Sequence, residues 1–498
     1  MPKRGPKGGL LRLLSKGEVN EIHTASLEVL ERVGVRTQSE AILNVFLEFG
    51  ADADPKEKIV RIPEHLIEEA MRKAPSEIVL SGRNSRFDIL LEGQRVYYVL
   101  GGSPVPYTVD LETGEWVAST KRHVAMATQL GDALPNMDVI MSLGSASDVP
   151  GEVSWLHELA TMLENTEKPI AYYAAGAEGA RYALSMGAAI VGGHENLKRK
   201  HIITLFSSFT TPLQMGVQQE NIIEFAKANA PVICHSGMMV AASTPITQAG
   251  ASVLGNAEFL CAASLAQLVN PGTPVIYSAE HSNIDVRTGM ALYGTPERGT
   301  GFVVNRQMAD FYGVPTFGAG GTTDAKCVDT QAGLEAMGTA MICALGGVNL
   351  IHNCGTIGGG SAGSLEMAVI SDEIANYVNR FLQGVHVDDE RLAVDLIAKV
   401  GPGGHYLAEE HTRRYLRKGE YWISELLDRE SVANWKKAGG RTLAEVAREK
   451  ARRILREHHT PPPSSENQKE IASILRQAEK SLVPQRSSET RPQRRGTN

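Results

Sequence analysis

Eight short runs rich in branched and aromatic residues recur through the middle of the chain, each followed by a stretch with helical spacing, and this alternation restricts the fold more than any other feature. The runs are "RVYYVL" (95–100), "DVIMSL" (138–143), "PIAYYA" (169–174), "HIITLF" (201–206), "PVICHS" (231–236), "PVIYSA" (274–279), "VPTFGA" (314–319) and "VNLIHN" (348–353). Helical periodicity fills gaps between them, as in 154–163, 248–268 and 331–345. Strands arranged this way are parallel, joined by crossover helices and covered on both faces. Eight units within residues 95–384 predict an α/β fold of the (β/α)8 barrel type rather than an open doubly wound sheet.

The flanks read differently. Residues 1–94 form a predicted N-terminal helical extension: Ser15 and Glu18 make a capping box, Val19, Ile22, Val29, Leu30 and Val33 follow at helical spacing, and Gly34 stops the helix. A second helix is expected from Glu40 to Phe49. Residues 385–459 read as a C-terminal helical extension packing on the barrel, with Thr442 and Glu445 as another capping box. Beyond it, residues 460–498 run from "TPPPSSENQKE" to "PQRSSETRPQRRGTN", a composition expected to stay disordered apart from a short helix near 470–483.

Charge and cysteine content narrow the partners. The 498 residues carry a formal charge of −7, which offers no footprint for nucleic acid or a membrane surface. No run reaches the ~18 apolar residues of a membrane span. The basic start "MPKRGPKGGLLRLLSKGE" has its apolar stretch broken by Arg12, too short for a signal-peptide core. Five cysteines without a CxxC pair argue against a disulfide framework. The expectation is a cytoplasmic protein that assembles as a homo-oligomer.

In a (β/α)8 barrel the chemistry sits on the loops after the strands. Here those loops open with small or polar residues: "GGSPVPY", "GSASD", "GAEG", "SSFTTP", "HSGMM", "EHSNID", "GGTTDAKCVD" and "NCGTIGGGS". Small side chains at every strand end leave room for a ligand at the barrel mouth. The stretch "GVNLIHNCGTIGGGS" (347–361) then brings His352 and Asn353 to its floor. The run Gly358 to Gly360 matches neither phosphate-loop pattern, so a plain βα-loop is the preferred reading. Cys234, His235, His281, His352 and Cys354 are zinc-ligand types without helical ligand spacing. Lys326 has the chemistry of a Schiff-base lysine, although a solvated loop lysine is the ordinary case. Glu280 and Asp324 follow buried strands, where a carboxylate must meet a cation, a donor or water. Tyr97, Tyr98, Tyr172, Tyr173, Phe206, Tyr277 and Phe317 lie in or at the ends of strands, and about half must point inward. Aromatics with a carboxylate suit a quaternary ammonium.

Longer stretches, taken together, resemble one family. They are "ASLEVLERVGV" and "VRIPEHLIEEAMRKAPSEIVLSGR" near the start, "GGTTDAKCVDTQAGLEAMGTAMICALGGVNLIHNCGTI" and "SLEMAVISDEIANYVNRFLQGV" in the barrel, then "GPGGHYLAEEHTRRYL" and "DRESVANWKKAGGRTLAEVAREKARRIL". Over residues 15–458 the chain is similar to the trimethylamine methyltransferase family of corrinoid-dependent enzymes. The resemblance implies a barrel that moves a methyl group from a small methylated amine to the cobalt of a separate cognate corrinoid protein, with no cofactor bound permanently and no metal of its own. Archaeal members acting on trimethylamine carry pyrrolysine, whereas this chain has only standard residues. The likeness is therefore to the branch without pyrrolysine, and it points to a quaternary amine such as glycine betaine, carnitine or proline betaine.

Displacing a neutral tertiary amine needs no proton, so the site has to align the methyl group, hold the cation and exclude water. Glu280, Asp324 and His352 are then the expected catalytic residues, the two carboxylates facing the cation. Tyr97, Tyr172, Phe206, Tyr277 and Phe317 form the expected partial cage, His352 and Asn353 orient substrate or corrinoid, and Arg287 or Arg298 takes a betaine carboxylate. Rival readings use the same residues. One is a non-catalytic binder of quaternary amines; another is a zinc-dependent corrinoid methyltransferase of a different methyl donor, with Cys234, His281, His352 or Cys354 on the metal; a third is an aldolase acting through Lys326.

Overall fold

The computed structural model describes residues 1–54 and 56–484, and all eight predicted strands form within it. They are β1 (Tyr97–Leu100), β2 (Met137–Ile140), β3 (Ile170–Tyr173), β4 (Ile203–Phe209), β5 (Val232–Val240), β6 (Val275–Ile284), β7 (Phe317–Ala319) and β8 (Leu350–Cys354). Strands β1 to β6 pair in parallel in sequence, β7 pairs with β8, and β8 returns to β1. The ring closes where the Tyr277 amide donates to Pro315 O at 2.8 Å, beside a parallel bridge between Tyr277 and Thr316. Each strand leads to a helix: α1 (Lys121–Ala133), α2 (Ser154–Asn165), α3 (Gly176–Val191), α4 (Asn221–Lys227), α5 (Gln248–Val269), α6 (Pro296–Tyr312), α7 (Thr330–Gly346) and α8 (Leu365–Leu382).

Strand alternation divides the apolar residues into two cores. Tyr98, Tyr172, Cys234 and Tyr277 face outward and join the helices. Tyr97, Val99, Val139, Phe206, Ile233, Ile276, Phe317 and Leu350 face inward and fill the barrel. A hairpin of Ile78–Leu80 with Ile89–Leu91 contributes four residues to this inner core and closes the floor, the end where the strands begin. Tyr97 ties it there, its hydroxyl donating to Leu90 O at 2.6 Å. The first residues strap across the same end: Lys3 pairs with Asp138 at 2.6 Å and the Leu11 amide donates to Leu345 O at 3.0 Å.

The N-terminal region opens on the predicted capping box, with helices at Lys16–Arg32 and Glu40–Glu48. These helices and Glu64–Lys73 pack against α5. By length and composition α5 could cross a membrane, but 83% of its apolar window is buried inside the protein. The region is less purely helical than expected. Besides the floor hairpin it holds strands Val35–Thr37, Asp52–Asp54 and Ile59–Arg61, which share a sheet with Gln214–Met215 from the loop after β4.

The expected disorder from residue 460 is corrected by the structure as far as residue 484. Thr460 donates to Asp132 Oδ2 at 2.8 Å, and a helix runs from Ser465 to Leu482, capped by Ser464. The helix packs on α3 and α2 with Ile471 and Ala478 buried, while Glu479 meets His157 at 3.0 Å. Composition alone argued that this stretch buries too little apolar surface. Its few apolar residues recur at helical spacing, however, and the barrel supplies the missing face. The remaining tail, 485–498, lies outside the described residues.

Candidate active site

The side chains that face inward at the C-terminal ends of neighbouring strands meet in one cluster. Parallel register sets Tyr173 beside Phe206, Ser208 beside His235, His235 beside Ser278, and Gly237 beside Glu280. Phe206 lies 4.6 Å from the His235 ring and 5.8 Å from Phe317, between centroids, and Phe317 stacks on His352 at 4.0 Å. Gly237 is exposed, and Tyr173, Ser208, Met239 and Glu280 are half-buried, so the cluster opens to solvent along β4 to β6. A side chain at 237 would fill this opening, since a Cβ there would lie 3.3 Å from Ser208 Oγ and 3.4 Å from His235 Nε2.

Charge in the cluster comes from one pair. Glu280 forms an ion pair with Arg298, which stands in the first turn of α6 and is fully buried. Arg298 also donates from Nη1 to Ser282 Oγ at 2.8 Å and lies 3.9 Å above the Tyr293 ring, while its Nε faces no acceptor. Burial lowers its pKa to about 9, which leaves it charged at neutral pH. His235 shares a hydrogen bond with Ser278 Oγ at 2.9 Å and lies 3.5 Å from Glu280 Oε2. Burial, reinforced by Arg298, pushes the His235 pKa down to about 3, so its imidazole is neutral and Arg298 alone balances Glu280. His352 is also held neutral, by burial first and then by His235 and Arg298. The Asn353 side chain opposes this from close by, yet neither ring nitrogen of His352 reaches a partner with full hydrogen-bond geometry among the described residues. An unsatisfied buried imidazole is costly, and a ligand at the mouth would satisfy it.

Asn353 supports that histidine. Its φ of 73° is left-handed, a conformation asparagine tolerates, and its amide donates to Gly101 O at 2.7 Å. Gly102 makes the close approach possible, because a Cβ there would sit 1.8 Å from Asn353 Oδ1. The glycine run that follows is a fastening. Gly358 and Gly359 donate to Ala325 O and Thr323 O at 2.7 and 2.9 Å, and a Cβ on Gly358 would strike the Trp116 ring at 2.4 Å.

The structure brings Glu280, Arg298, His352, Asn353, Phe206 and Phe317 together and leaves the other predicted residues elsewhere. Asp324 is held by backbone rather than by an ion pair: its carboxylate accepts from the Tyr293 and Gly294 amides at 3.0 and 2.9 Å, holding the loop that presents Arg298, whose charged form its own charge favours. Arg287 is 85% exposed and closed onto Asp285, with Nη2 to Oδ2 at 2.8 Å. Tyr97 lies on the floor. Tyr172 and Tyr277 point outward, Tyr172 to Trp155 and Tyr277 to Phe259 with its hydroxyl on Asn256. Cys234 and His281 also face outward while His352 faces inward, so the zinc set does not converge. Lys326 is exposed, with none of the burial a Schiff-base amine requires. Two site members were named from sequence without a place in the amine site: Tyr173 only among the strand aromatics, and His235 only as a zinc-ligand type. Period-two alternation from Phe206 and Glu280 across the paired strands would have marked both.

This inward-facing, aromatic-walled ion pair can now be set beside known proteins. A family model described as trimethylamine methyltransferase matches residues 6–482. The chain belongs to the trimethylamine methyltransferase family. It is 36% identical to the trimethylamine methyltransferase of Desulfitobacterium hafniense over 93% of this chain and 92% of that one. It is 34% identical to that of Methanosarcina barkeri over 95% and 96%. A glycine betaine methyltransferase of Desulfitobacterium hafniense matches at 33% over 85% and 88%. As a member of this family the protein is an enzyme, a methyltransferase of methylated amines.

Proposed function

We propose that this methyltransferase takes its methyl group from a quaternary amine that also carries a carboxylate, of the glycine betaine type, and delivers it to the Co(I) corrinoid of a separate protein at the barrel mouth. The observation behind this reading is the Glu280–Arg298 pair. The half-buried carboxylate of Glu280 is already paired with the buried Arg298 cation, which leaves little net charge for a simple cation, whereas a zwitterion meets both groups with opposite sign. Glu280 faces the ammonium, Phe206, Phe317 and Tyr173 supply π-faces for its methyl groups, and Arg298, with Nε free, faces the carboxylate.

The corrinoid supplies a strong nucleophile for the methyl carbon. This chain's own residues hold the amine by its charged ends, direct one methyl group toward the open side at Gly237, and keep water out. No proton moves, because the leaving group is a neutral tertiary amine, and two neutral histidines fit that requirement. The unpartnered nitrogens of His352 are available to hydrogen-bond substrate or corrinoid. An absorbance assay tests the reading: purified enzyme with reduced cob(I)alamin, or with cognate corrinoid protein, offered glycine betaine, proline betaine, carnitine and trimethylamine separately. Loss of the Co(I) spectrum with a betaine and not with trimethylamine is the expected result. Turnover of trimethylamine alone would refute it.

A further inference from the structure

Arg298 owes its posture to its neighbours. Its guanidinium lies near two rings, Tyr293 at 3.9 Å and Phe302 at 5.8 Å, while Glu280 and Ser282 engage its Nη atoms. Nε is left as the edge without an acceptor. A planar cation stacked on an aromatic face keeps a fixed plane, where an ion pair alone would let it turn. Phe302 is buried one turn further along α6, whereas Tyr293 belongs to the loop before that helix and has to be secured from elsewhere.

Three other loops secure it. The Tyr293 amide donates to both oxygens of Asp324 at 3.0 Å, and Thr322 Oγ1 donates to Tyr293 O at 2.8 Å. Asp324 is braced in turn, because Glu335 of α7 accepts from its amide and from Thr323 Oγ1, each at 2.7 Å. From the hairpin after β1, Trp116 Nε1 donates to Lys326 O at 3.1 Å and ties the same loop. The glycine run after β8 completes the clamp: Gly358, Gly359 and Gly360 have φ of 65, 62 and 74°, and a Cβ on Gly360 would lie 3.1 Å from the Tyr293 ring. Three left-handed residues in a row are open to glycine at no steric cost, and here they pack bare backbone against the ring.

We propose that Tyr293 is a positioning residue of this methyltransferase: by fixing the plane of Arg298 it keeps the Nε edge free for the substrate, and so sets the preference for amines that carry a carboxylate. The proposal rests on the reading of Arg298 as the carboxylate's partner. Without the ring, the guanidinium turns Nε and an Nη together onto Glu280, and that two-pronged pair leaves no donor for a ligand. Phe206, Phe317 and Tyr173 are untouched by this change, and Glu280 is paired in either posture, so the ammonium end of the site stays as it was.

Binding calorimetry and initial rates with cob(I)alamin test the proposal on the full chain, with glycine betaine and tetramethylammonium as probes. Tyr293→Leu is expected to weaken glycine betaine about tenfold or more in both Kd and KM, the worth of one charge-assisted hydrogen bond, with kcat and tetramethylammonium binding changed by less than about twofold. Tyr293→Phe, which keeps the ring, is expected to match the wild type. Gly360→Ala crowds the ring from the neighbouring loop and is expected to lower the betaine preference in the same direction, which decides the matter should the leucine variant fold poorly. Parallel loss of both probes, or a phenylalanine variant as weak as the leucine one, overturns the proposal. A preference for betaine that survives both Tyr293→Leu and Gly360→Ala removes Tyr293 and leaves the reading of Arg298 standing. A wild type that binds tetramethylammonium as tightly as glycine betaine overturns that reading and the proposal with it.

Discussion

Replacing Glu280 by glutamine should affect stability and substrate binding in ways that can be separated. The glutamine keeps the size of the side chain and its contacts with Ser282 and His235, and removes only the charge. Arg298 is then a fully buried cation that has lost its paired carboxylate and keeps only the field of Asp324, a loss of about 3–5 kcal/mol. In a chain of 498 residues, an unfolding entropy of about 2.1 cal/mol/K per residue makes each kcal/mol worth about 1 °C, so Tm should fall by about 3–5 °C. Substrate loses an attraction worth about 3 kcal/mol at 5 Å in an effective dielectric of 20. Water replaces part of it, so KM should rise about ten- to hundredfold. The ammonium charge fades as the methyl group leaves, so Glu280 holds the ground state at least as well as the transition state, and kcat should change little. Calorimetry and initial rates over a betaine series measure both effects. Adding Arg298→Met should return stability toward wild type without restoring KM, because the orphaned charge is gone. A fall in kcat at unchanged KM, or a double variant as unstable as the two single losses added together, would refute this account.

Three further outcomes are expected. Phe317→Ala removes the ring stacked on His352 and should cost about 3–5 kcal/mol with a raised KM, read by denaturant unfolding and initial rates. Tyr277→Phe, which deletes an outward hydroxyl bonded to Asn256, should lose about 1 kcal/mol and leave KM unchanged; a changed KM would return Tyr277 to the cavity. His235 has its folded pKa about 3, below an unfolded value of 6.5, so the unfolded chain binds the extra proton in between. Its share of stability is complete above pH 6.5 and is lost as pH falls toward 3. His235→Asn should flatten that part of the stability curve, and the activity profile should show no step at 6.5 from this group.

Fold and site were legible to different depths. The eight strands could be read because each fully buried parallel strand is a continuous apolar run, and the barrel follows from counting them. The same continuity conceals direction. Tyr172 and Tyr173 look alike in sequence, and only the register of the closed sheet turns Tyr173 inward and Tyr172 toward Trp155. Asp324 and Glu280 each follow a strand, yet one is taken up by backbone amides from the β6–α6 loop, a contact across 31 residues that no local pattern announces. Arg298 follows a strand at a distance that local pattern leaves undefined; the proline at the first position of α6 carries it into the helix start and under the barrel mouth. The helix at 465–482 was expected only as a short piece near 470–483 in a disordered tail, because the partner surface that extends and orders it lies on α2 and α3, about 300 residues earlier in the chain.

The hairpin that seals the floor imposes an order of events. With Ile78, Leu80, Ile89 and Leu91 packed into the barrel core, the floor end is closed and, among the described residues, the mouth is the open end between the strands. A methyl acceptor carried on a protein that covers the mouth would trap whatever already lies beneath it. The amine must then arrive before the partner, and the demethylated product can leave only after the partner has gone. Steady-state rates should therefore follow a compulsory sequence, with excess corrinoid protein inhibiting turnover by occupying the entrance ahead of the amine.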